Sequence, residues 1–189
     1  YLSLVYSMPE RFGVVKKANV IQDDKSFKRN LNAYIISEDR TGNLVVANDS
    51  LKINLKAWLN KNKMITDSID ILNAKIVNFG IQFEAVGKMN QDNNDLLATA
   101  VDALSNKFHR YFDMSENLYI SDIYSTLKEV DGILDVISAK AVLKVGGVYS
   151  DTFFDLQENL SADGRMIMIP QNVVLELKYP TIDITGVIK

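Results

Sequence analysis

The sequence predicts an α+β protein with a ferredoxin-like β-α-β-β-α-β core and additional N- and C-terminal β-strands. Three observations lead to this prediction. Residues 77–85 alternate strictly between apolar and polar side chains, which is typical of a half-buried strand. Two segments, starting at Leu51 and Leu97, repeat apolar residues at helical spacing. Strand-like segments stand before, between and after these helices, in the order that the ferredoxin-like pattern requires.

The N-terminal part of the chain is predicted to form three strands. Residues 14–22 and 31–38 each have the composition and length of a strand. The polar stretch 23–30 between them is too long for a tight hairpin. Thr41-Gly42-Asn43 has turn chemistry and predicts a chain reversal before a short strand at 44–46.

A capped helix and a long strand region follow. Asp49 and Ser50 are predicted N-caps, because a short side-chain oxygen can accept a hydrogen bond from a free backbone N–H. Residues 66–87 are predicted to be β-structure with a turn or bulge at 73–75. The helix is predicted to end near Asn62, and its apolar stripe is Leu51, Leu55, Trp58 and Leu59.

Two further helices are predicted in the second half of the chain. The polar cluster 92–95 is predicted to cap a helix whose apolar positions continue to Tyr111 and Phe112. A shorter helix is predicted to begin at Ser121 and to stop at Gly132, because glycine readily adopts the left-handed conformation that follows many helices.

The C-terminal part is predicted to be β-structure. Gly146-Gly147 does not open a helix, so we interpret it as a strand-to-strand turn or bulge and not as a phosphate-binding loop. Four strands are expected around and after this pair, at 133–145, 148–156, 166–169 and 173–179.

These elements suggest three segments. Residues 1–30 would form an N-terminal extension and strand, residues 31–145 the ferredoxin-like core, and residues 146–189 a C-terminal β segment that packs on or extends the core sheet. The chain starts at Tyr1 without an initiator methionine, so we expect a fragment of a longer protein.

Composition limits the class of protein. The 189 residues are 47% apolar and 24% charged, which is typical of a globular protein with one core or two small ones. The net charge of -3 and the pI of about 5.2 disfavour a nucleic-acid partner. The absence of cysteine excludes a disulfide framework. No apolar run approaches the ~18 residues of a membrane span, so no membrane partner is expected.

Few residues are candidates for chemistry. His109 is the only histidine, and its candidate partners Asp102 and Asp113 are neighbours that any charged helix supplies. We therefore interpret His109 as a surface or half-buried residue. Trp58 lies on the apolar stripe of its helix and is predicted to belong to the core.

The cluster 92–95 also has the composition of a calcium loop. Such a loop needs oxygen ligands at alternate positions and a glutamate at position twelve. In this chain Leu96 stands at position five and Ala103 at position twelve. Helix capping explains the cluster better. The residues therefore predict no catalytic, cofactor-binding or metal site, and a protein that is not an enzyme, unless active residues lie on chain outside this sequence.

An RNA- or ligand-binding ferredoxin-like module is the main alternative. Phe79 and Phe83 fall on a central strand of the predicted sheet, where RNA-recognition modules stack bases. They share their face with Val77 and Ile81, which predicts a core face, and the opposite face carries Glu84 and no basic residue. The alternative stays open.

Three segments carry a resemblance to a known family. The first is 51–83, where the capped helix leads to Met64-Ile-Thr-Asp-Ser-Ile-Asp-Ile and Ile76-Val-Asn-Phe-Gly-Ile. The second is 118–136, with Leu118-Tyr-Ile-Ser-Asp-Ile-Tyr124 before Gly132-Ile133. The third is 169–186, with Ile169-Pro-Gln-Asn-Val-Val-Leu-Glu-Leu-Lys-Tyr-Pro and Asp183-Ile-Thr-Gly186. Together with Met8-Pro-Glu-Arg-Phe-Gly13, they resemble the baseplate J-like family of contractile-tail phages, and within it the C-terminal part of the baseplate wedge proteins of T-even-type phages.

The resemblance implies a structural role in the virion. Such proteins are components of the tail baseplate wedge that pair with themselves as homodimers, join into a ring around the hub and contact other wedge proteins. They take part in the rearrangement that triggers sheath contraction, and they occupy the host cytoplasm during assembly. The family brings no catalytic residues. Candidate docking features in this chain are residues 1–12 and the strands after Val148.

Overall fold

The computed structural model describes residues 1–23, 30–89, 92–109 and 112–189. Within these ranges the protein is a mixed α+β structure with several sheets and five α-helices, as the α+β class predicts. No helix in the described ranges combines the length and the apolar character that crossing a membrane requires.

The chain divides into two compact units, which are described separately. Unit 1 consists of Tyr1–Ile76 and Pro170–Val174, and unit 2 of Val77–Ile169 and Leu175–Lys189. The division into segments 1–30, 31–145 and 146–189 was predicted from the order of elements along the chain, and it stays a prediction.

Unit 1 contains a four-stranded sheet built around one central strand. Strand β2 pairs antiparallel with β1 and β3 and parallel with β4. The strands are β1 (Lys17–Gln22), β2 (Asn30–Glu38), β3 (Leu44–Val45) and β4 (Ser68–Asn73). The helices are α1 (Leu2–Tyr6) and α2 (Asp49–Asn62), with a 3-10 turn at Glu10–Phe12. The core of the unit includes Val5, Ala33, Ile35, Leu51, Leu55, Leu59 and Ile69.

Helix α2 ends at Asn62 as predicted, but its N-cap is one residue earlier than predicted. The Asn48 side chain accepts a hydrogen bond from the Leu51 backbone N–H at 2.8 Å. Asp49 and Ser50 are the first residues of the helix, and the Asp49 carboxylate pairs with Lys52 at 2.8 Å. Asn48, Asp49 and Ser50 all have side chains that can cap a helix. Only Asn48 has the extended backbone that brings its side-chain oxygen to a free N–H.

Unit 2 contains a second sheet and three helices. Its strands are β5 (Lys75–Gly87), β6 (Leu118–Tyr119), β7 (Ile133–Lys144), β8 (Met166–Ile167), β9 (Val173–Glu176) and β10 (Ile184–Ile188). The first two residues of β5 and the first two of β9 belong to unit 1. Its helices are α3 (Asn93–Phe108), α4 (Ile120–Lys128) and α5 (Pro180–Asp183). Strand β5 is central: it pairs parallel with β10, antiparallel with β7, and also with β9, while β6 and β8 form a small ladder.

The apolar face of β5 is the core of this sheet. Phe79, Ile81 and Phe83 are buried, as the sequence predicts, but the predicted alternation holds only from Ile81 to Ala85, because Asn78 and Gly80 are buried as well. The Phe79 ring meets the edge of the Phe112 ring, with centroids 5.7 Å apart. Helix α3 packs against β10, and α4 packs against β7.

The ferredoxin-like arrangement is not confirmed. The four strands predicted for one sheet correspond to β2, β4, β5 and β7; β2 pairs with β4 in one sheet, and β5 with β7 in another. Only Ala74 separates β4 from β5, and its N–H donates to the Ile35 carbonyl at 3.2 Å. A hairpin needs at least two loop residues, so the predicted turn at 73–75 is a passage from one sheet to the next.

Further predictions need correction. Helix α4 begins at Ile120 and ends at Lys128, so Ser121 lies inside the helix and is not its N-cap, and the helix stops before Gly132. Residues 148–156 contain no strand, because side chains satisfy part of their backbone: Thr152 N–H donates to the Ser150 hydroxyl at 3.1 Å, and Asp155 accepts from the N–H groups of Gln157 and Glu158. Helix α3 ends at Phe108, short of the predicted Phe112. Tyr111, predicted for the same helix, lies outside the described residues.

Candidate functional site

A buried carboxylate lies at the centre of a polar network in unit 2. Asp183, the last residue of α5, has a fully buried side chain. One oxygen accepts a hydrogen bond from the Tyr149 hydroxyl at 2.6 Å, and the other accepts from the Tyr179 N–H at 2.9 Å. The Lys144 ammonium lies 3.6 Å from the first oxygen. Two donors and a cation therefore compensate a charge that would otherwise be costly to bury.

The same contact changes the acidity of Tyr149. The hydrogen bond to Asp183 is the largest cause, followed by burial and by the negative charge of Asp183, and together they raise the pKa of Tyr149 to about 12. The Tyr149 and Tyr179 rings meet edge to face, with centroids 5.9 Å apart. Tyr149 is therefore a fixed hydrogen-bond donor at neutral pH.

A second buried pair joins three parts of unit 2. The Asn78 side chain on β5 donates to a Glu176 carboxylate oxygen on β9 at 2.7 Å. Its own carbonyl oxygen accepts from the Ser150 N–H at 2.7 Å. Both side chains are buried. Asn78 was predicted on the solvent face of its strand, and it is buried because Glu176 and Ser150 satisfy its polar atoms.

These contacts give the turn after β7 a structural role. Gly146 and Gly147 adopt φ values of 80° and 64°, and the Tyr149 N–H bonds to the Gly146 carbonyl at 3.1 Å. A turn is therefore present as predicted, but it does not lead to a second strand. It delivers the Tyr149 hydroxyl to the Asp183 carboxylate and the Ser150 N–H to the Asn78 amide oxygen. Among the described residues, no buried side-chain N or O atom of this network lacks a hydrogen-bond partner, so the evident effect of the network is to hold the turn, α5 and β5 together.

The solvent side of the β10–β5–β7 sheet is shaped by two bulges in β7. Pairing runs Glu84 with Ser138 and then Ala85 with Val136, so Ile137 is an extra residue. A second shift makes Leu134 extra in the same way. From Ile133 to Ala139 the burial of β7 accordingly repeats every three residues and not every two. A bulge re-aims the side chain beside it, and both Leu134 and Ile137 are more than half exposed.

We call this side of the sheet the outer face. It consists of Glu84 on β5, Leu134, Ile137 and Lys140 on β7, and Thr185 and Val187 on β10. A shallow groove of about 270 Å³ crosses the three strands. Glu84 pairs there with Lys189 at 2.9 Å. The outer face therefore combines exposed aliphatic groups with charges of both signs.

The sequence-predicted candidates lie apart from these features. His109 caps the C-terminus of α3 and is exposed. The Asp92 side chain accepts from the Asn94 N–H at 2.8 Å, which confirms the capping interpretation of 92–95. Within the described ranges, no group of three or more histidine, cysteine, aspartate or glutamate residues is arranged to hold a metal. Trp58 is half-buried against the unit 1 core and donates to the Leu4 carbonyl at 3.0 Å.

The two predicted docking features differ from expectation. Residues 1–12 are not a free segment: Val5 and Met8 are buried in unit 1, and the Tyr1 hydroxyl bonds to Asp67. The chain after Val148 forms turns up to its short strands, as described above. Sequence reasoning missed the outer face because its apolar residues depend on the β7 bulges. The sequence signal for these bulges is the spacing by three of the apolar residues Ile133, Val136 and Ala139, which differs from the spacing by two of a regular strand.

Comparison with known proteins finds likeness at the level of the fold. No known protein family matches the chain, and no curated protein matches it in sequence. Among solved structures, it is similar to a chain of the cryo-EM structure of the anti-feeding prophage (AFP) baseplate, 6-fold symmetrised. The TM-score is 0.51 at 10% sequence identity, over 93% of this chain. The matched region is 36% of the length of that baseplate chain.

Proposed function

We propose that this chain is part of a structural subunit of a contractile-tail baseplate and acts by protein–protein assembly. The fold likeness carries the proposal, because it extends over 93% of the chain and the matched protein is a component of a prophage baseplate. The matched region is about a third of that component, so any other parts and their partners belong to the proposal as well.

The finer assignment depends on the sequence resemblance. The segments 51–83, 118–136 and 169–186 resemble the baseplate J-like family and its T-even-type wedge proteins. We propose on this ground a wedge subunit that pairs with itself, joins a ring around the hub and contacts other wedge proteins. The subunit would be located in the tail baseplate of the particle, after assembly in the host cytoplasm. Its role in contraction would be mechanical and not catalytic.

The structure gives an assembly role suitable surfaces. The outer face exposes Leu134, Ile137 and Val187, while the Asp183 network fixes α5 directly before β10. A subunit that transmits force between partners needs such rigid elements beneath its contact surfaces. The alternative RNA-binding module lacks support of this kind, because Phe79 and Phe83 are buried and cannot stack bases.

The test is to locate the chain in assembled particles. Antibodies raised against the chain are applied to purified contractile tails from the organism that encodes it, with gold labels counted along each tail by electron microscopy. We expect labels at the baseplate end. Tails that contain no copies by mass spectrometry, or labels along the sheath, would contradict the proposal. An antibody depleted with the purified chain is the control.

A further inference from the structure

We propose that the free edge of strand β10 binds an extended segment of a partner protein, which joins the β10–β5–β7 sheet as a further strand. The surface consists of the backbone of Ile184, Gly186 and Ile188 and of the side chains beside it. The inference goes beyond the proposed function, since it names one contact surface and the kind of partner segment that fits it.

The first argument is the direction of the backbone groups along β10. Lys189 directly follows the strand; its N–H donates to the Ala85 carbonyl at 2.9 Å, and its carbonyl accepts from the Gly87 N–H at 3.0 Å. In a parallel ladder, alternate residues of a strand bond to the same neighbour. The residues between them therefore point their N–H and C=O groups away from β5, and these are Ile184, Gly186 and Ile188.

Most of the groups on this edge are open. The Ile184 N–H donates to the Pro180 carbonyl, and the Ile188 carbonyl accepts from the Asn93 side chain at 3.4 Å. Among the described residues, no bond reaches the Ile184 carbonyl, either backbone group of Gly186 or the Ile188 N–H, and no strand pairs with this side of β10. Such a row of donors and acceptors is complementary to the backbone of an extended chain.

The opposite edge of the sheet is protected, and this edge is not. On β7 the Tyr124 hydroxyl accepts from the Ala139 N–H at 3.0 Å, and the two bulges interrupt the register. Bulges, prolines and charged side chains are the means by which proteins prevent the addition of a strand. Strand β10 has a regular register and the sequence Ile-Thr-Gly-Val-Ile, which contains neither a charge nor a proline.

The edge is also rigid and lies beside apolar side chains. The Asp183 carboxylate fixes α5 directly before β10, and the Phe83 ring lies so close to Gly186 that a Cβ added there would be 2.3 Å away. A preformed edge lowers the entropic cost of binding. Ile182 in α5 is 64% exposed and Val187 in β10 is 53% exposed. Both can contact apolar side chains of an added strand.

These features define the partner segment. It has the five-residue length of β10 and neutral β-branched side chains, because its neighbours on the exposed side of the strand are Thr185 and Val187. Strand β10 of a second copy fits less well, because antiparallel pairing centred on Gly186 would bring the α5 helix of that copy against Asn93. An extended segment without a flanking helix avoids this collision.

Amide exchange in the presence of a defined peptide tests the inference. The probe is the capped peptide Lys-Thr-Val-Thr-Val-Thr-Lys, added to the nitrogen-15-labelled chain. At saturation it should slow the exchange of the Gly186 and Ile188 N–H groups by at least about tenfold. The control peptide carries a methyl group on the backbone nitrogen of every threonine and valine. It keeps the side chains but lacks these donors, so it should have no such effect.

A tethered peptide and two matched substitutions complete the test. Fusion of the same peptide after Lys189 through a glycine-serine linker raises its local concentration and compensates for weak binding. Val187→Asp should weaken binding of the free peptide by about tenfold, whereas Val46→Asp, at a similarly exposed valine of unit 1, should leave it unchanged. Circular dichroism checks that each variant is folded.

The outcomes separate this inference from the proposed function. No slowing by either the free or the fused peptide, or equal slowing by the methylated control, would overturn the inference. Protection of Gly186 and Ile188 at rising chain concentration without peptide would assign the edge to a second copy and would also overturn it. Peptide binding does not depend on a role in the baseplate, and gold labelling does not depend on this edge, so either result can fail alone.

Discussion

The Tyr149 hydroxyl donates a 2.6 Å hydrogen bond to Asp183, a carboxylate with no exposed surface. The bond connects the turn after β7 to the short helix before β10, two parts of the chain 34 residues apart. It is the shortest contact in a network that positions the last strand of the sheet.

Removing the charge of Asp183 should destabilise the protein. Asp183→Asn keeps the size of the side chain but replaces one acceptor oxygen by an NH2 group, so either Tyr149 or the Tyr179 N–H loses its acceptor. We expect a loss of about 2 kcal/mol in the free energy of unfolding, measured in urea. Asp102→Asn, on an exposed helix position, is the matched control. Equal stability of the two variants would show that the network contributes little.

The ionisation of Tyr149 should be displaced to high pH. Its pKa is raised to about 12, against about 10 in the unfolded chain, because the protonated form is hydrogen-bonded to Asp183. The stability from this bond is therefore complete below pH 10 and is lost as pH rises from 10 through 12. A phenolate absorbance titration should show a late step that belongs to Tyr149, and Asp183→Asn should bring this step back toward 10. A natural chain without the late step would contradict the assignment.

A side chain at position 186 should disrupt the pairing of β10 with β5. A methyl group added at Gly186 would lie 2.3 Å from the Phe83 ring, and the ring is buried. We expect Gly186→Ala to lower stability by about 2–3 kcal/mol, whereas Thr185→Ala on the same strand costs well under 1 kcal/mol. Adding Phe83→Leu to Gly186→Ala should recover part of the loss. Purely additive effects in this double-mutant cycle would exclude the steric explanation.

The N-cap of α2 can be assigned by comparing neighbours. Asn48→Ala removes the acceptor of the Leu51 N–H and should cost about 1 kcal/mol. Asp49→Ala removes only an exposed contact with Lys52 and should cost about 0.5 kcal/mol or less. Asn48→Asp, which preserves the acceptor, should be nearly neutral. Urea unfolding of all three variants decides the matter, and a larger loss for Asp49→Ala would return the cap to the residue that the sequence suggested.

How much the sequence could predict is clearest in β5 and β7. The alternation of β5 identified Phe79, Ile81 and Phe83 as core residues, because periodicity is a local property. Asn78 was misplaced, because its burial depends on Glu176, 98 residues later in the chain. The range of β7 was predicted nearly to the residue, but its exposed face was not, because a bulge is defined only by pairing with the neighbouring strand.

Segment 148–156 was predicted to be a strand and contains none. Its apolar and aromatic residues have high strand propensity, yet Gly146-Gly147 and the side chains of Ser150 and Asp155 turn the chain. Side-chain hydrogen bonds of this kind compete with a sheet ladder. The ferredoxin-like prediction failed for a related reason: the order of elements was nearly right, but chain order does not determine which strands pair.

The way in which the two units share the chain has a consequence for biosynthesis. Unit 1 is completed by Pro170–Val174, and unit 2 by Leu175–Lys189, whose strand β10 pairs with residues about a hundred positions earlier. During translation neither unit can close until its late segment has left the ribosome, so the two should fold in quick succession once Lys189 has emerged. A nascent chain halted before Pro170 should be sensitive to proteases along its whole length. Chaperones that bind nascent chains should bind at this stage.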